Sequence, residues 1–240
     1  QGALGRHLAG FLADRGAAHI VLASRRGELT EETGELRARL AARGVALTVA
    51  ACDVTDREAV RELLARYPVT AVVHLAGVLD DGAIGSLTPE RMNRVLAPKA
   101  EAALVLHELT ADRELTAFVM FSSAAGVLGN AGQGNYSAAN ALLDALAAHR
   151  RARGLPGLSL AWGLWADDSG MASELGESGL RRMNESGVDA IDPAQGLALF
   201  DTATTLDDAL LLPVAFDLKA LGEEPGELPA IFHGLVAGRR

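Results

Sequence analysis

A chain of 240 residues that is 49% hydrophobic is long enough and apolar enough for one large ordered domain with a sizeable core. Its 31 acidic and 22 basic residues, net charge −9 and pI near 5.2 argue against general nucleic-acid binding and against a basic membrane-surface patch. Cys52 is the single cysteine, so no intrachain disulfide forms; no signal peptide or membrane-length apolar run is visible, and a reducing, cytoplasmic location is expected.

Gln1-Gly2-Ala3-Leu4-Gly5 leads into an amphipathic segment with Leu4, Leu8, Phe11 and Leu12 on one face, which predicts a glycine turn entering a helix. A dinucleotide-binding unit needs a strand ahead of such a turn, so residues 1–240 read as one catalytic domain without its first strand. Residues 19–23 predict a short buried strand, 31–43 a helix closed by Gly44, and 45–51 the next strand. Residues 53–67 predict a turn and a helix, with Thr55 as N-cap and Glu58 completing a capping box. Strands follow at 70–75, 117–121 and 158–162, and helices at 89–95, 99–109 and 136–153. Short apolar strands alternating with helices imply an α/β fold, a Rossmann-like doubly wound parallel sheet flanked by helices. The stretch 167–192 is rich in Gly, Ser, Glu and Asp and reads as a mobile lid near a site. Residues 193–204 return to a helix and 209–216 predict a final strand.

The strand ends carry a candidate cofactor site. Gly2, Leu4 and Gly5 end a glycine-rich turn of the kind that sets backbone N–H groups and a helix N-terminus against a pyrophosphate, although a plain helix start looks the same. Ser24, Arg25 and Arg26 follow the strand where an adenosine ribose lies in such folds. Arginines there favour the 2′-phosphate of NADP, and the alternative is a solvated basic turn. Asp53, with Val54 beside it, is placed either to bond an adenine amine or simply to lead into a helix. Ala76 and Gly77 offer a small, close-approach surface at the carboxyl edge, where open parallel sheets bind ligands.

Ser123 stands thirteen residues before Tyr136, and Asn140 stands four beyond it, on the same helix face. A ketone accepts hydride readily if its oxygen is stabilised as charge develops. A tyrosine whose pKa is lowered by a nearby cation can supply the proton, Ser123 a second hydrogen bond, and Lys99 the cation. Singly, these residues read as a turn former, a packing tyrosine and a first-turn surface lysine. Together, beside a dinucleotide edge, they form a carbonyl-reducing constellation.

Segments 2–12, 21–27, 52–56, 74–81, 96–100, 121–144 and 161–166 resemble the ketoreductase domains of modular polyketide synthases, in the short-chain dehydrogenase/reductase superfamily; 228–240 resembles the family's C-terminal tail. Many superfamily members place a lysine where this chain has Asn140, and the exchange that puts it at Lys99 is characteristic of the synthase ketoreductases. The resemblance implies NADPH-dependent reduction of a 3-ketoacyl chain held on the phosphopantetheine arm of an acyl carrier protein, among the other domains of a synthase module. Tyr136 would be the proton donor, Ser123 would bind the carbonyl, and Lys99 and Asn140 would complete a tetrad. Gly163 and Trp165 would belong to the nicotinamide and substrate wall, and 167–187 to the lid, with Met171 near the acyl chain. Leu79-Asp80-Asp81 resembles the fingerprint of B-type domains, which give the 3R alcohol. Asn135 fits that type, and Leu128 stands where A-type domains carry tryptophan. The family's preceding structural subdomain has no counterpart within these residues, and no metal is implied. Two other readings stay open: a reduction-inactive domain kept for carrier docking, against which the intact tetrad speaks, and a stand-alone reductase of a free metabolite, which Asn140 disfavours.

Overall fold

The computed structural model describes residues 2–166, 188–217 and 230–236. Two apolar runs form β1 (His19–Ser24) and β2 (Ala46–Ala51), paired in parallel with His19 opposite Ala46 and Ser24 opposite Ala51. A second parallel sheet joins β3 (Ala71–His74), β4 (Ala117–Ser123), β5 (Leu158–Trp162) and β7 (Leu210–Leu211), in that order. Parallel neighbours require crossovers: α2 (Glu31–Ala41) links β1 to β2, α4 (Pro89–Leu96) and α5 (Ala102–Thr110) link β3 to β4, α7 (Gly134–Ala152) links β4 to β5, and α8 (Pro193–Ala203) lies between β5 and β7, while α1 (Ala3–Asp14) precedes β1 and α3 (Arg57–Arg66) leads from β2 to β3. A short α6 (Ala125–Leu128), not anticipated from the sequence, follows β4.

Successive side chains of β4 point to opposite faces, and both are covered. Phe118 and Met120 meet Val60 and Leu64 of α3, Leu106 of α5, and Leu143 and Leu146 of α7. Val119 and Phe121 meet Leu8 of α1, Leu160 and Trp162 of β5, and Phe200 of α8. The fold is therefore the expected Rossmann-like, two-faced α/β arrangement. Arg150, fully buried on α7, stacks 3.8 Å over the Phe118 ring and donates to His107 Nδ1 at 2.9 Å and to Pro156 O at 2.7 Å. It ties α7 to β4 and α5.

β1 and β3 belong to separate sheets. Val21, Leu22 and Ala23 on one side and Val72, Val73 and His74 on the other line a cavity of ≈ 1630 Å³. The same cavity continues past the carboxyl ends of β2, β4 and β5, at Asp53, Ser123 and Gly163.

Three sequence expectations are corrected. Asp56, not Thr55, caps α3: its Oδ1 accepts from Glu58 N at 2.9 Å and Ala59 N at 3.2 Å, while Thr55 bonds back to Asp53. The helices expected at 89–95 and 99–109 are joined by a π-turn, Ala97–Glu101, because Pro98 has no N–H for an ordinary helical bond; Ala102 N reaches five residues back to Ala97 O. The run 209–216 splits at Pro213. β7 ends before it, the Pro213 carbonyl accepts from Gly163 N at 3.0 Å, and β8 (Ala215–Phe216) pairs antiparallel with β6 (Val188–Asp189). Among the described residues no helix is long and apolar enough to cross a membrane.

Asp56→Ala should lower stability by about 1 kcal/mol in urea unfolding, the usual loss for a side-chain N-cap, and Thr55→Ala by less than half of that. An equal or larger loss at Thr55 would make that residue the cap.

Candidate active site

Three core elements deliver polar groups to one end of the cavity. β4 ends at Ser123, whose Oγ accepts from Ala125 N at 3.3 Å. α7 begins at Gly134, so Tyr136 lies in its first turn and Asn140 one turn on, both buried. The π-turn between α4 and α5 turns Lys99 inward until it is 2% exposed. Ser123, Tyr136 and Lys99 all line the cavity.

Lys99 is held at both ends of the residue. Its Nζ donates to Phe121 O at 3.0 Å and lies 5.1 Å from the centre of the Tyr136 ring. Its carbonyl lies 2.8 Å from Nε2 of the buried His74. Burial pushes His74 down to about 4, so the ring is neutral; a carbonyl only accepts, so Nε2 carries the proton. Gly77 leaves room for the ammonium, since a β-carbon there would already touch Nζ at 3.4 Å. Burial pulls Lys99 down to about 8, opposed by the Asp144 carboxylate.

Burial raises the Tyr136 pKa, against the lowering effect of its hydrogen bonds with Ser123 and Asn140. Burial and the Asp81 charge thus set the direction, opposite to the lowering by a cation expected from the sequence, and the phenol keeps its proton. Asn140 Nδ2 donates to Tyr136 O at 2.8 Å and Ser122 Oγ donates to Asn140 O at 3.3 Å, while the buried Asn140 Oδ1 has no partner among the described residues. An acceptor left so in the core costs about 1–3 kcal/mol.

The residues expected to bind a cofactor, Arg26 apart, fall along the rest of the cavity. Gly2, Leu4, Gly5, Ser24, Arg25, Asp53, Val54, Ala76, Gly77 and Gly163 all line it. The side chains of Thr30, Asp56, Thr88 and Asp192 cap α2, α3, α4 and α8. α1, like α5, α6 and α7, has no side-chain cap and no acid in its first turn, and its first residues line the cavity, where a helix N-terminus suits an anion. Asp53 is held ionised by hydrogen bonds from Thr55 N and Oγ1. Gly27, at φ 60°, closes the turn after β1, where a β-carbon would lie 2.4 Å from Ala51 N, and its N–H donates to Ser24 Oγ. Arg26 does not join Arg25: its side chain is 81% exposed and pairs with Glu28 at 3.8 Å.

Among the substrate-guiding residues, Leu79 and Trp165 line the cavity. The Trp165 ring sits 4.8 Å from the centre of Trp162 and fills the space over Gly196, where a β-carbon would come within 2.3 Å. Asp80, Asp81 and Asn135 are not in the wall. Asp80 is clamped by Arg91 and Arg94, Asp81 accepts from Gln133, and Asn135 is fully buried between Asp80 and Tyr136. Met171 and 167–187 lie outside the described residues. His74, Arg91 and Gln133 were not singled out in the sequence. A lone histidine ending an apolar strand and two arginines at i and i+3 on α4 were the available signals; Gln133 had none.

Residues 1–167 match the KR domain family. The chain is 51% identical to the spectinabilin polyketide synthase system protein NorB of Streptomyces orinoci, over 98% of this chain and 11% of that protein. A solved structure titled as A-type ketoreductases from a modular polyketide synthase superposes with TM-score 0.87 at 43% identity, covering 95% of this chain and 49% of that one. The first ketoreductase of the tylosin synthase superposes with TM-score 0.82 at 45% identity, covering 91% and 48%. The chain thus spans about half the length of these solved ketoreductases and a small fraction of the curated synthase. With its parallel two-faced sheet and its serine, tyrosine, lysine and asparagine gathered at the strand ends, this chain belongs to the KR domain family, the ketoreductase domains of modular polyketide synthases.

Proposed function

We propose that this chain is one catalytic domain that reduces a 3-ketoacyl thioester, presented on the phosphopantetheine arm of an acyl carrier protein, to the 3R hydroxyacyl product with NADPH. The observation that carries this reading is the meeting of Ser123, Tyr136 and Lys99 at one end of a cavity of ≈ 1630 Å³. The part of that cavity along the carboxyl ends of the strands, from Asp53 past Gly77 to Ser123 and Gly163, suits a dinucleotide beside an extended arm. The uncapped start of α1, Arg25 and Asp53 suit its pyrophosphate, 2′-phosphate and adenine in turn. NADPH supplies the hydride when bound.

The protein's part is the proton and the charge. Tyr136 Oη–H donates its proton to the substrate oxygen, and Ser123 Oγ–H gives that oxygen a second hydrogen bond. The Lys99 ammonium, over the Tyr136 ring, stabilises the tyrosinate left behind. Asn140 Oδ1 is placed to hold a water that returns a proton toward Lys99. The 3R assignment rests on Leu79-Asp80-Asp81, and on Leu128 standing where A-type domains carry tryptophan. A carrier protein and neighbouring synthase domains, in the cytoplasm, are the partners this reading names.

Tyr136→Phe should cut NADPH oxidation with a β-ketothioester by ~10²–10⁴-fold while leaving NADPH binding intact, the range expected for losing a general acid. Chiral analysis of the alcohol from a racemic 2-methyl-3-keto thioester should give the 3R product. A 3S product overturns the handedness, and a fully active Tyr136→Phe protein overturns the chemistry.

The Lys99 pKa, about 8 when folded and 10.5 as the ordinary value, fixes a second expectation. Activity should fall as pH rises through about 8, because the ammonium is lost. Between pH 8 and 10.5 the unfolded chain binds the extra proton, so the Lys99 contribution to stability rises with pH, by ~3 kcal/mol in all. Lys99→Met should flatten that stability slope; an unchanged slope would show that Lys99 titrates normally.

A further inference from the structure

Leu79 faces the cavity, while Asp80 and Asp81 turn into a hydrogen-bonded brace behind it. Arg91 is its centre. Its Nε and Nη2 both donate to Asp80 Oδ1, at 2.8 and 2.6 Å. Nη2 also reaches Asp81 O at 2.6 Å and Asp80 O at 3.4 Å, and Nη1 reaches Ser86 O at 3.2 Å. Arg94, one turn on, takes the other oxygen, Asp80 Oδ2, at 2.9 Å. Gly82 admits the guanidinium, since a β-carbon there would lie 2.6 Å from Arg91 Nη1. The Arg91 guanidinium holds the Asp80 carboxyl below its ordinary range, with Arg94 adding to the effect.

The far side of the loop is tied to the leading edge of α7. Gly82 N donates to Gly132 O at 2.7 Å, Gln133 Nε2 to Asp81 Oδ2 at 2.8 Å, and Asn135 Nδ2 to Asp80 O at 2.9 Å. Asn135 Oδ1 in turn accepts from Tyr136 N at 2.9 Å. One covalent step therefore separates the brace from the catalytic tyrosine. An exposed ion pair contributes little. This one differs: the Asp80 side chain is 13% exposed, and a planar fork engages a carboxylate and three backbone carbonyls at once.

We propose that Arg91 is a positioning residue: from α4, it fixes the 79–82 loop, and with it Leu79, against Tyr136, so that a keto group enters with one face turned to the hydride. The stereochemical consequence rests on the ketoreductase reading above; the brace itself does not. A lysine could replace the charge but not the fork.

The test compares Arg91→Gln and Arg91→Lys with the unaltered protein, in hydrogen–deuterium exchange and in the ratio of alcohol stereoisomers formed from a 2-methyl-3-keto thioester. Exchange at 78–83 should rise in Arg91→Gln, with the rest of the chain unchanged. The stereoisomer ratio should fall by ~10-fold, the equivalent of one modest set of contacts, and Arg91→Lys should recover only part of it. Gln133→Leu breaks the brace from the α7 side and should move both readouts the same way, which decides the matter if Arg91→Gln does not fold. Unchanged exchange in both variants overturns the brace. Raised exchange with an unmoved ratio overturns the role of Arg91 in selectivity. If the unaltered protein reduces nothing, the ketoreductase reading fails, and exchange alone decides whether Arg91 holds the loop.

Discussion

Burying a lysine ammonium is the constraint on which the rest of the site depends. An ordinary helix over residues 89–110 would spread its side chains by the usual 3.6-residue period. The π-turn at Ala97–Glu101 inserts one residue and rotates Lys99 into the core. Each contact that makes this tolerable comes from a different element: the Phe121 carbonyl from β4, the His74 ring from β3, and the bare backbone of Gly77 just beyond β3. Nζ donates to a neutral carbonyl, and the Asp144 carboxylate only partly offsets the cost of burying the charge. Burial has brought the pKa to about 8, where the group is still cationic at neutral pH and yet poised to release a proton.

The same logic explains why α7 is so heavily anchored. Its apolar face packs on Phe118 and Met120, Arg150 stacks on Phe118, and Asp144 accepts from Ser159 of β5 at 2.6 Å. A helix fixed at its middle and end holds its first turn in place, and that turn carries Tyr136. Gly126 lets the neighbouring α6 approach so closely that a β-carbon would lie 3.0 Å from Asn140 Cβ. Precision at the site is thus a product of core packing rather than of loop geometry.

What could be read from the sequence, and what could not, divides along contact range. Strands such as 19–24 and 158–162 are apolar runs bounded by turn residues, and their local pattern is enough. Tyr136, Asn140 and Ser123 were legible because their spacing is local to one strand and one helix. Thr55 and Asp56 both suit an N-cap, and only backbone geometry separates them. The run 209–216 looked like one strand because β-propensity ignores the missing N–H of Pro213. Arg26 looked equivalent to Arg25 until Gly27 turned the chain away. Gln133 meets Asp81 across 52 residues, and no periodicity reports such a pairing.

The residues proposed for chemistry and those proposed for selectivity lie in different physical settings. Tyr136, Lys99 and Asn140 lie in the core, where a change of side chain disturbs packing as well as chemistry. The loop at Leu79 is held at the rim by groups of graded exposure: Asp80 at 13%, Arg91 at 27% and Arg94 at 65%. Salt at physiological strength screens charges over about 8 Å, so it weakens Arg94 first and the forked Arg91 contact least. A rim of that kind can be rebuilt without disturbing the core. On the proposed reading, a fold whose catalytic groups are fixed by core packing can vary which face of a ketone it presents, because the loop assigned to that choice is not what holds the fold together.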